Sequence, residues 1–115
     1  MREGQRMKLS DEIDHLGRLV FEGNAKTPPA LRRAAAAHAR FLAGLGPPGP
    51  ALPGEWLTYV EKVALHAYKV TDEDVEMLRQ GGHSEDEIFE ITVAAAVGAS
   101  LARAEAGLRL LEEGV

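Results

Sequence analysis

Apolar residues recur at spacings of three and four along this chain, and no stretch alternates apolar and polar residues over the length of a strand. The pattern predicts helices without a β-sheet. Five helices are predicted, over about residues 10–23, 27–44, 54–69, 71–81 and 84–111. We therefore expect a compact all-α helical bundle of about five helices, forming one domain over residues 1–115, with 1–8 as a flexible tail.

The first two predicted helices have recognisable start signals. Ser10 can cap a helix whose apolar side carries Ile13, Leu16, Leu19 and Val20. Thr27 precedes Pro28, and proline is tolerated in a first turn, so we expect the Thr27 hydroxyl to accept a hydrogen bond from a free amide there. The small side chains of 34–37 predict that a neighbouring helix approaches this second helix closely.

The last two predicted helices begin at capping boxes. Thr71 with Asp74 forms one, and Ser84 with Glu87 forms the other. The glycine pair 81–82 between them is predicted to end the shorter helix. In the last helix, Gly98 predicts either a kink or close packing.

The segment "GLGPPGPALPG", residues 44–54, contains four Gly and four Pro. This composition supports neither a helix nor a sheet ladder, so the segment is predicted to be a loop. Two interpretations stay open: a plain connector between helical hairpins, or a lid or subunit contact.

Composition narrows the functional classes. The chain has 115 residues, with 13 Lys and Arg against 18 Asp and Glu, and a net charge of -5, so nucleic acid is not an expected partner. It contains no cysteine, which excludes disulfides, thiolate nucleophiles and thiolate metal sites. The apolar run 91–102 is too short to cross a bilayer, and residues 1–8 lack a signal-peptide core. We expect no membrane partner and a cytoplasmic location.

The third predicted helix has two faces. Its core face comprises Trp56, Leu57, Val60, Val63, Ala64 and Ala67. Another side carries Glu55, Tyr59, Lys62, His66 and Lys69. Glu55 and His66 are the candidate catalytic acid and base, and Tyr59 and Lys62 are candidate ligand-binding residues. The alternative is a polar stripe that faces solvent or another subunit.

No metal or cofactor site is predicted. The four histidines are not arranged as metal-ligand pairs on one helix; they are His15, His38, His66 and His83. His83, just before the Ser84 cap, is interpreted as a turn residue. The acidic cluster over 72–76 lacks the spacing of a calcium loop, and carboxylates are expected in the first turn of a helix.

One segment carries a family resemblance. It comprises an E-W-L sequence on a helix, a capped short helix, and then "GGHSEDEIFEITVAAAVGASLARAEAGL". Gly82, the Ser84 cap, the residues 86–88 and the alanine block 94–96 resemble the alkylhydroperoxidase D and carboxymuconolactone decarboxylase superfamily. The resemblance covers about half of the chain and is strongest over 54–112. It implies an alkylhydroperoxidase D-like helical domain that forms a homo-oligomer, commonly a trimer or a hexamer.

The family's catalytic motif is mostly missing. In the peroxidase branch, the resemblance implies cysteines at the positions of Ala67 and Val70, a histidine at Asp74 and a glutamate at Glu55, and only the glutamate is present. Reduction of a peroxide by this route needs one thiolate to attack and a second thiol to resolve the sulfenic acid. The chain is therefore not a cysteine-dependent peroxidase.

The decarboxylase branch resembles the peroxidase branch in using a histidine near the position of Asp74. That histidine is also missing, and a capping Asp74 is expected to favour its charged form. Two functional hypotheses follow. The first is an oligomeric scaffold or small-molecule binding module without redox function. The second is a cofactor-independent lyase or isomerase that uses Glu55 and a second acid or base. An enclosed cavity that contains both groups would favour the second.

Overall fold

A computed structural model describes residues 25–113 of the chain. Over this range the chain forms four α-helices and no β-strand: α1, Pro29–Leu42; α2, Gly54–His66; α3, Asp72–Gln80; and α4, Glu85–Glu112. A short 3-10 turn, Ala67–Lys69, follows α2. The all-helical prediction is confirmed for the described residues. The helix predicted over 10–23 and the tail predicted over 1–8 lie outside them.

Both capping boxes are confirmed. At the start of α3, Thr71 Oγ1 accepts from the backbone N–H of Asp74, whose carboxylate accepts from the backbone N–H of Thr71. Ser84 and Glu87 make the same reciprocal pair at the start of α4. These hydrogen bonds lower the pKa of Glu87, because they favour its charged form. Local sequence therefore determines where α3 and α4 begin.

The cap predicted at Thr27 is wrong. Pro28 is the N-cap of α1, without a side-chain hydrogen bond. The Thr27 hydroxyl instead donates to Glu90 Oε1 of α4 at 2.6 Å, and the Thr27 backbone N–H donates to the same oxygen at 2.8 Å. Arg32 is buried with Thr27 and donates to its carbonyl oxygen. The Thr27 hydroxyl therefore bonds to the Glu90 carboxylate, which is distant in sequence, and does not cap α1 as the local sequence pattern predicts.

Glu90 is stabilised as a carboxylate at this contact. Burial alone raises its pKa, but the hydrogen bonds from the Thr27 hydroxyl and from the backbone N–H groups of Lys26 and Thr27, together with the charge of Arg32, lower the pKa further than burial raises it. The net direction is downward. Glu90 therefore ties the start of α1 to α4.

Helices α1 and α4 run side by side in the same direction. Contacts join Thr27 to Glu90 near one end and Arg40 to Glu105 near the other. Between them, a Cβ atom built on Gly98 would lie 2.3 Å from the carbonyl oxygen of Ala36. Gly98 therefore permits close packing, and α4 continues through it as one helix. The approach predicted for the alanine block of α1 is confirmed.

The core lies where α1, α2 and α4 meet. Its buried members include Ala35, Ala39, Trp56, Val60, Val63, Ile91, Ala95 and Ala99. The core face predicted for α2 needs three corrections. Tyr59 is buried, Leu57 is only partly buried, and Ala67 is exposed because α2 ends one residue earlier.

The loop between α1 and α2 lies against α1. Gly49 has a positive φ of 77°, and a Cβ atom on it would lie 2.6 Å from the Cβ of Ala37. Any other residue is disfavoured at position 49, because of both the positive φ and the lack of space for a Cβ atom. The loop is thus packed on the bundle at this point.

Helix α4 is longer than the apolar run considered above. Among the described residues it is long and apolar enough to cross a membrane, judged by length and composition alone. The central helix of a soluble bundle meets the same criterion. In this fold α4 contributes seven buried residues, including Ile88, Ile91 and Ala102.

Candidate functional site

Helices α2 and α3 form an antiparallel hairpin with a pocket between them. The hairpin direction follows from two contacts: Lys62 meets Asp74, whereas Glu55 lies beside Gly81. The pocket has a volume of about 240 Å³ and opens to solvent on one side. Met77, Leu78 and the hydrocarbon parts of the polar side chains give it mostly apolar walls. The lining residues are Glu55, Thr58, Tyr59, Lys62, Asp74, Met77 and Leu78.

Three of the four predicted site residues line this pocket. Glu55, Tyr59 and Lys62 lie at spacings of four and three along α2, so they face the same neighbour. His66 does not join them. It is exposed at the end of α2, with its ring centroid 6.1 Å from that of Tyr68.

The predicted pairing of Glu55 with His66 is wrong, because it was based on helical periodicity alone. Their angular positions agree, but eleven residues of α-helix separate them by about 16 Å along the axis. Two side chains cannot bridge that distance to act on one small molecule.

The partner of Glu55 is His83. Its Nε2 atom lies 2.7 Å from Glu55 Oε1. An ionised carboxylate only accepts hydrogen bonds, so His83 Nε2 donates. The imidazole also packs against Trp56, with ring centroids 4.4 Å apart and planes at 46°. His83 is thus held on a buried indole and presents one nitrogen to the carboxylate at the pocket mouth.

The turn after α3 brings His83 to this position. Gly82 has a positive φ of 99°, which reverses the chain after Gly81, and the His83 N–H donates to the carbonyl oxygen of Leu78 at 3.1 Å. Gly81 also leaves space for Glu55, since a Cβ atom there would lie 3.0 Å from Glu55 Oε2. Sequence analysis missed His83; the signal available was the Gly-Gly-His order at the end of a predicted helical hairpin.

Tyr59 forms the inner wall of the pocket. Its hydroxyl lies 2.7 Å from Thr92 Oγ1, and Thr92 donates its own hydroxyl proton to the carbonyl oxygen of Ile88 at 2.6 Å. Tyr59 is therefore the donor to Thr92. The phenolic oxygen keeps lone pairs that can accept a hydrogen bond from a ligand.

An ion pair closes the other end of the pocket. Lys62 Nζ lies 2.8 Å from Asp74 Oδ2, and the same oxygen accepts from the Thr71 backbone N–H at 2.8 Å. The hydrogen bond from Lys62 is the largest cause, and that from Thr71 the next, of a pKa of Asp74 below its usual value. Asp74 is thus a charged cap and not a proton donor, as its position predicts.

The positions implied by the family resemblance lie near this hairpin. The α-helix that carries Glu55 ends at His66, and Ala67 begins a 3-10 turn, so Glu55 and Ala67 do not lie on one continuous α-helix. The Glu55 carboxylate is engaged with His83 and does not depend on residues at Ala67 or Val70. Within residues 25–113, no group of three His, Asp or Glu side chains is placed to hold a metal ion.

Comparison with known proteins adds no relative. No protein-family model matches this chain, and no curated protein or solved structure matches it. The resemblance over 54–112 therefore stays a prediction that depends on the residues quoted for it.

Proposed function

We propose that this chain is a small-molecule binding module of the alkylhydroperoxidase D and carboxymuconolactone decarboxylase type, without thiol redox chemistry. We further propose that it acts as a cytoplasmic homo-oligomer. One observation carries the binding function: a pocket of about 240 Å³ between α2 and α3 has apolar walls and a few polar groups at defined places. Pockets of this character are the usual sites of small-molecule binding.

The pocket favours a small ligand with an apolar body. Its volume is below the roughly 300–1,000 Å³ of sites for drug-sized molecules. Met77 and Leu78 supply apolar contact. The polar groups with spare capacity are acceptors: the second oxygen of Glu55 and the phenolic oxygen of Tyr59. The lysine in the site is already paired with Asp74. A compact amine or alcohol thus fits better than a carboxylic acid.

Binding of simple probes tests this proposal. Benzylamine, benzyl alcohol and benzoate are titrated into the protein labelled with nitrogen-15, and amide shifts of α2 and α3 are followed. Benzylamine should bind most tightly and benzoate least. The variant Glu55→Gln should weaken benzylamine binding about tenfold, since a hydrogen bond to a charged group contributes about 1.5 kcal/mol.

The chain provides a matched control for Glu55→Gln. Glu61 is also on α2, has the same side-chain exposure of 47%, and also contacts a histidine, His38, at 3.3 Å. Glu61 is not among the residues that line the pocket. Glu61→Gln should leave benzylamine binding unchanged. Equal binding of all three probes, or equal effects of the two substitutions, would contradict the proposal.

A second candidate function is cofactor-independent acid–base catalysis of the lyase or isomerase type. The contact of 2.7 Å between Glu55 and His83 favours it, since a carboxylate that orients an imidazole is a common arrangement for a general base. The test is exchange of a labile carbon-bound proton in a small bound ketone. His83→Gln should abolish exchange, and His38→Gln should not. Exchange that is equal in the two variants would reject this candidate.

A further inference from the structure

Seven residues form a regular line on the side of α4 that faces away from the core. They follow one another at spacings of four, three and four, twice over: Phe89, Val93, Ala96, Ser100, Ala104, Gly107 and Leu111. We name this set the outer stripe. An eleven-residue repeat stays on one face of a nearly straight helix, because eleven steps of 100° are three turns plus 20°. Ile91 and Gly98, both buried, lie on the opposite face.

The outer stripe is open to solvent and has no charge. Phe89 is 68% exposed and Leu111 54% exposed. Ala96, Ser100 and Gly107 are exposed, and Val93 and Ala104 are half-buried. Helix α4 is thus apolar both toward the core and away from it. Contiguous exposed apolar surface of this kind is typical of an interaction site.

The spacing of the outer stripe is the same when it is read backwards, and its two largest side chains lie at the ends. Ser100 is at the centre, eleven residues from either end. Reversal exchanges Phe89 with Leu111, Val93 with Gly107 and Ala96 with Ala104. A twofold axis through Ser100 therefore pairs large with large at the ends, large with small next to them, and small with small at the centre.

We propose that a second copy of this chain packs its α4 antiparallel against the outer stripe, with the twofold axis at Ser100. Such a contact is isologous, since the same patch serves both subunits. The inference specifies one interface of the homo-oligomer in the proposed function, and it does not depend on ligand binding. A hexamer with twofold axes accommodates this dimer contact, whereas a simple trimer does not.

The size of the outer stripe supports a second copy as the occupant. The stripe is about 33 Å long at 1.5 Å per residue. Small residues at its centre let the helix axes approach to about 8 Å, so the two copies bury roughly 1,000 Å² together, near the lower limit for a stable interface.

A bilayer is a poorer occupant of the outer stripe. Helices that lie on membranes usually have Lys and Arg beside their apolar face, whereas α4 begins with Glu85, Asp86 and Glu87, and the chain has a net charge of -5. To cross a bilayer, α4 would have to leave the close contact of Gly98 with Ala36. Residues 1–24 of the same chain are the other possible occupant of the outer stripe, and the alkylation experiment below distinguishes them from a second copy.

Two variants of the full chain test the contact by analytical ultracentrifugation. Ser100→Arg places a charge on the twofold axis and should weaken dimerisation at least tenfold. Ala106→Arg is the matched control, since Ala106 is exposed on α4 about 120° around the helix from Ser100. It should leave the dimer intact. Circular dichroism confirms that both variants remain folded.

Cysteine cross-linking tests the direction of packing, since the natural chain has no cysteine. Phe89→Cys and Leu111→Cys variants are mixed and oxidised. An antiparallel pair should give the mixed disulfide, whereas either variant alone should give little dimer. Disulfides of Phe89→Cys with itself would overturn the proposal, because they require parallel helices.

Three further results would overturn the inference. The first is a chain that stays monomeric at 100 µM, a concentration on the order of tenfold above the dissociation constant expected for a weak dimer. The second is a monomer in which the thiol of Ser100→Cys resists alkylation, because another part of the same chain then covers the stripe. The third is flotation of the chain with vesicles of phosphatidylcholine and phosphatidylglycerol. Loss of benzylamine binding bears only on the proposed pocket, and loss of the dimer bears only on the outer stripe.

Discussion

The contact between α1 and α4 and the hairpin of α2 and α3 are built in opposite ways. In the first, backbones meet through Gly98 and Ala36 with no room for a side chain between them, and a buried Thr27 fixes one end. In the second, α3 contributes one fully buried residue, Leu78, and is held by capping hydrogen bonds and the ion pair of Lys62 with Asp74. The pocket lined by Glu55, Tyr59 and Lys62 lies in this second contact, between α2 and α3.

The difference shows where this fold can accept a ligand. The α1–α4 contact consists of backbone and alanine side chains, so it has neither room for a ligand nor a polar side chain that could bind one. The hairpin leaves a gap because α3 is short and its acidic first turn remains in solvent, where Lys62 reaches it. We therefore expect substitutions in the α1–α4 contact to change folding, and substitutions in the hairpin to change binding more than folding.

Adding one methyl group to Gly98 should have the largest effect on stability. In Gly98→Ala the new Cβ would lie 2.3 Å from the Ala36 carbonyl oxygen and 2.8 Å from its Cα, so the two helices must separate. We expect the free energy of unfolding to fall by about 3 kcal/mol. Urea denaturation followed by circular dichroism measures it.

Gly107→Ala is the control in the same helix. Nothing in the same chain lies within 4 Å of a Cβ atom at Gly107, so at a concentration where the chain is monomeric the substitution should raise the free energy of unfolding by about 0.5 kcal/mol through helix propensity. If Gly98→Ala is as stable as Gly107→Ala, the close contact between α1 and α4 does not exist.

Two threonines offer a matched second test. Thr27→Val removes a buried hydroxyl that donates to the Glu90 carboxylate, and it should cost about 2 kcal/mol. Thr71→Val removes the exposed cap of α3 and should cost about 1 kcal/mol. Hydrogen exchange separates the two cases. Protection should fall in both α1 and α4 for Thr27→Val, but only in α3 for Thr71→Val; the reverse distribution would contradict the comparison.

Local chemistry explains which parts of this structure the sequence predicts. The two capping boxes span four residues each, so Thr71 and Ser84 identify the starts of α3 and α4 without knowledge of the fold. Thr27 shows the limit, because its hydroxyl bonds to a carboxylate 63 residues away. Pairing across such distances depends on tertiary packing, which a local pattern does not contain.

In the candidate site, too, the sequence predicts the local arrangement but not the contacts between distant residues. Helical period places Glu55, Tyr59 and Lys62 on one side of α2, and all three line the pocket. The helical period gives the angular position of a residue but not its distance along the helix axis. The prediction therefore also placed His66 with Glu55, although the two residues are far apart along α2. His83 lies 28 residues after Glu55 and meets it only because α3 runs back along α2 and the glycine turn after α3 redirects the chain.

Removal of the Lys62 ammonium should have the smallest effect and gives the clearest pH signature. The pKa of Asp74 lies below its usual value, first because of the hydrogen bond from Lys62 and next because of the Thr71 N–H. A carboxyl group with a lower pKa in the folded state adds stability above its unfolded pKa, and that stability is lost as the pH falls through the folded pKa. The pair is partly exposed to solvent, which screens the attraction, so Lys62→Met should cost only about 0.5 kcal/mol at pH 7.

The cost of Lys62→Met should disappear as the pH falls from the usual pKa of an aspartate through the lower pKa of folded Asp74, since the protonated Asp74 no longer attracts an ammonium group. Carbon-13 NMR of the Asp74 carboxyl should show its midpoint moving upward in Lys62→Met, though not fully to the usual value, because Thr71 still donates. Lys69→Met removes an exposed lysine of the 3-10 turn and should leave that midpoint in place. If the two variants give the same Asp74 titration, the ion pair does not hold α2 to α3, and the hairpin depends on its caps and on Leu78 alone.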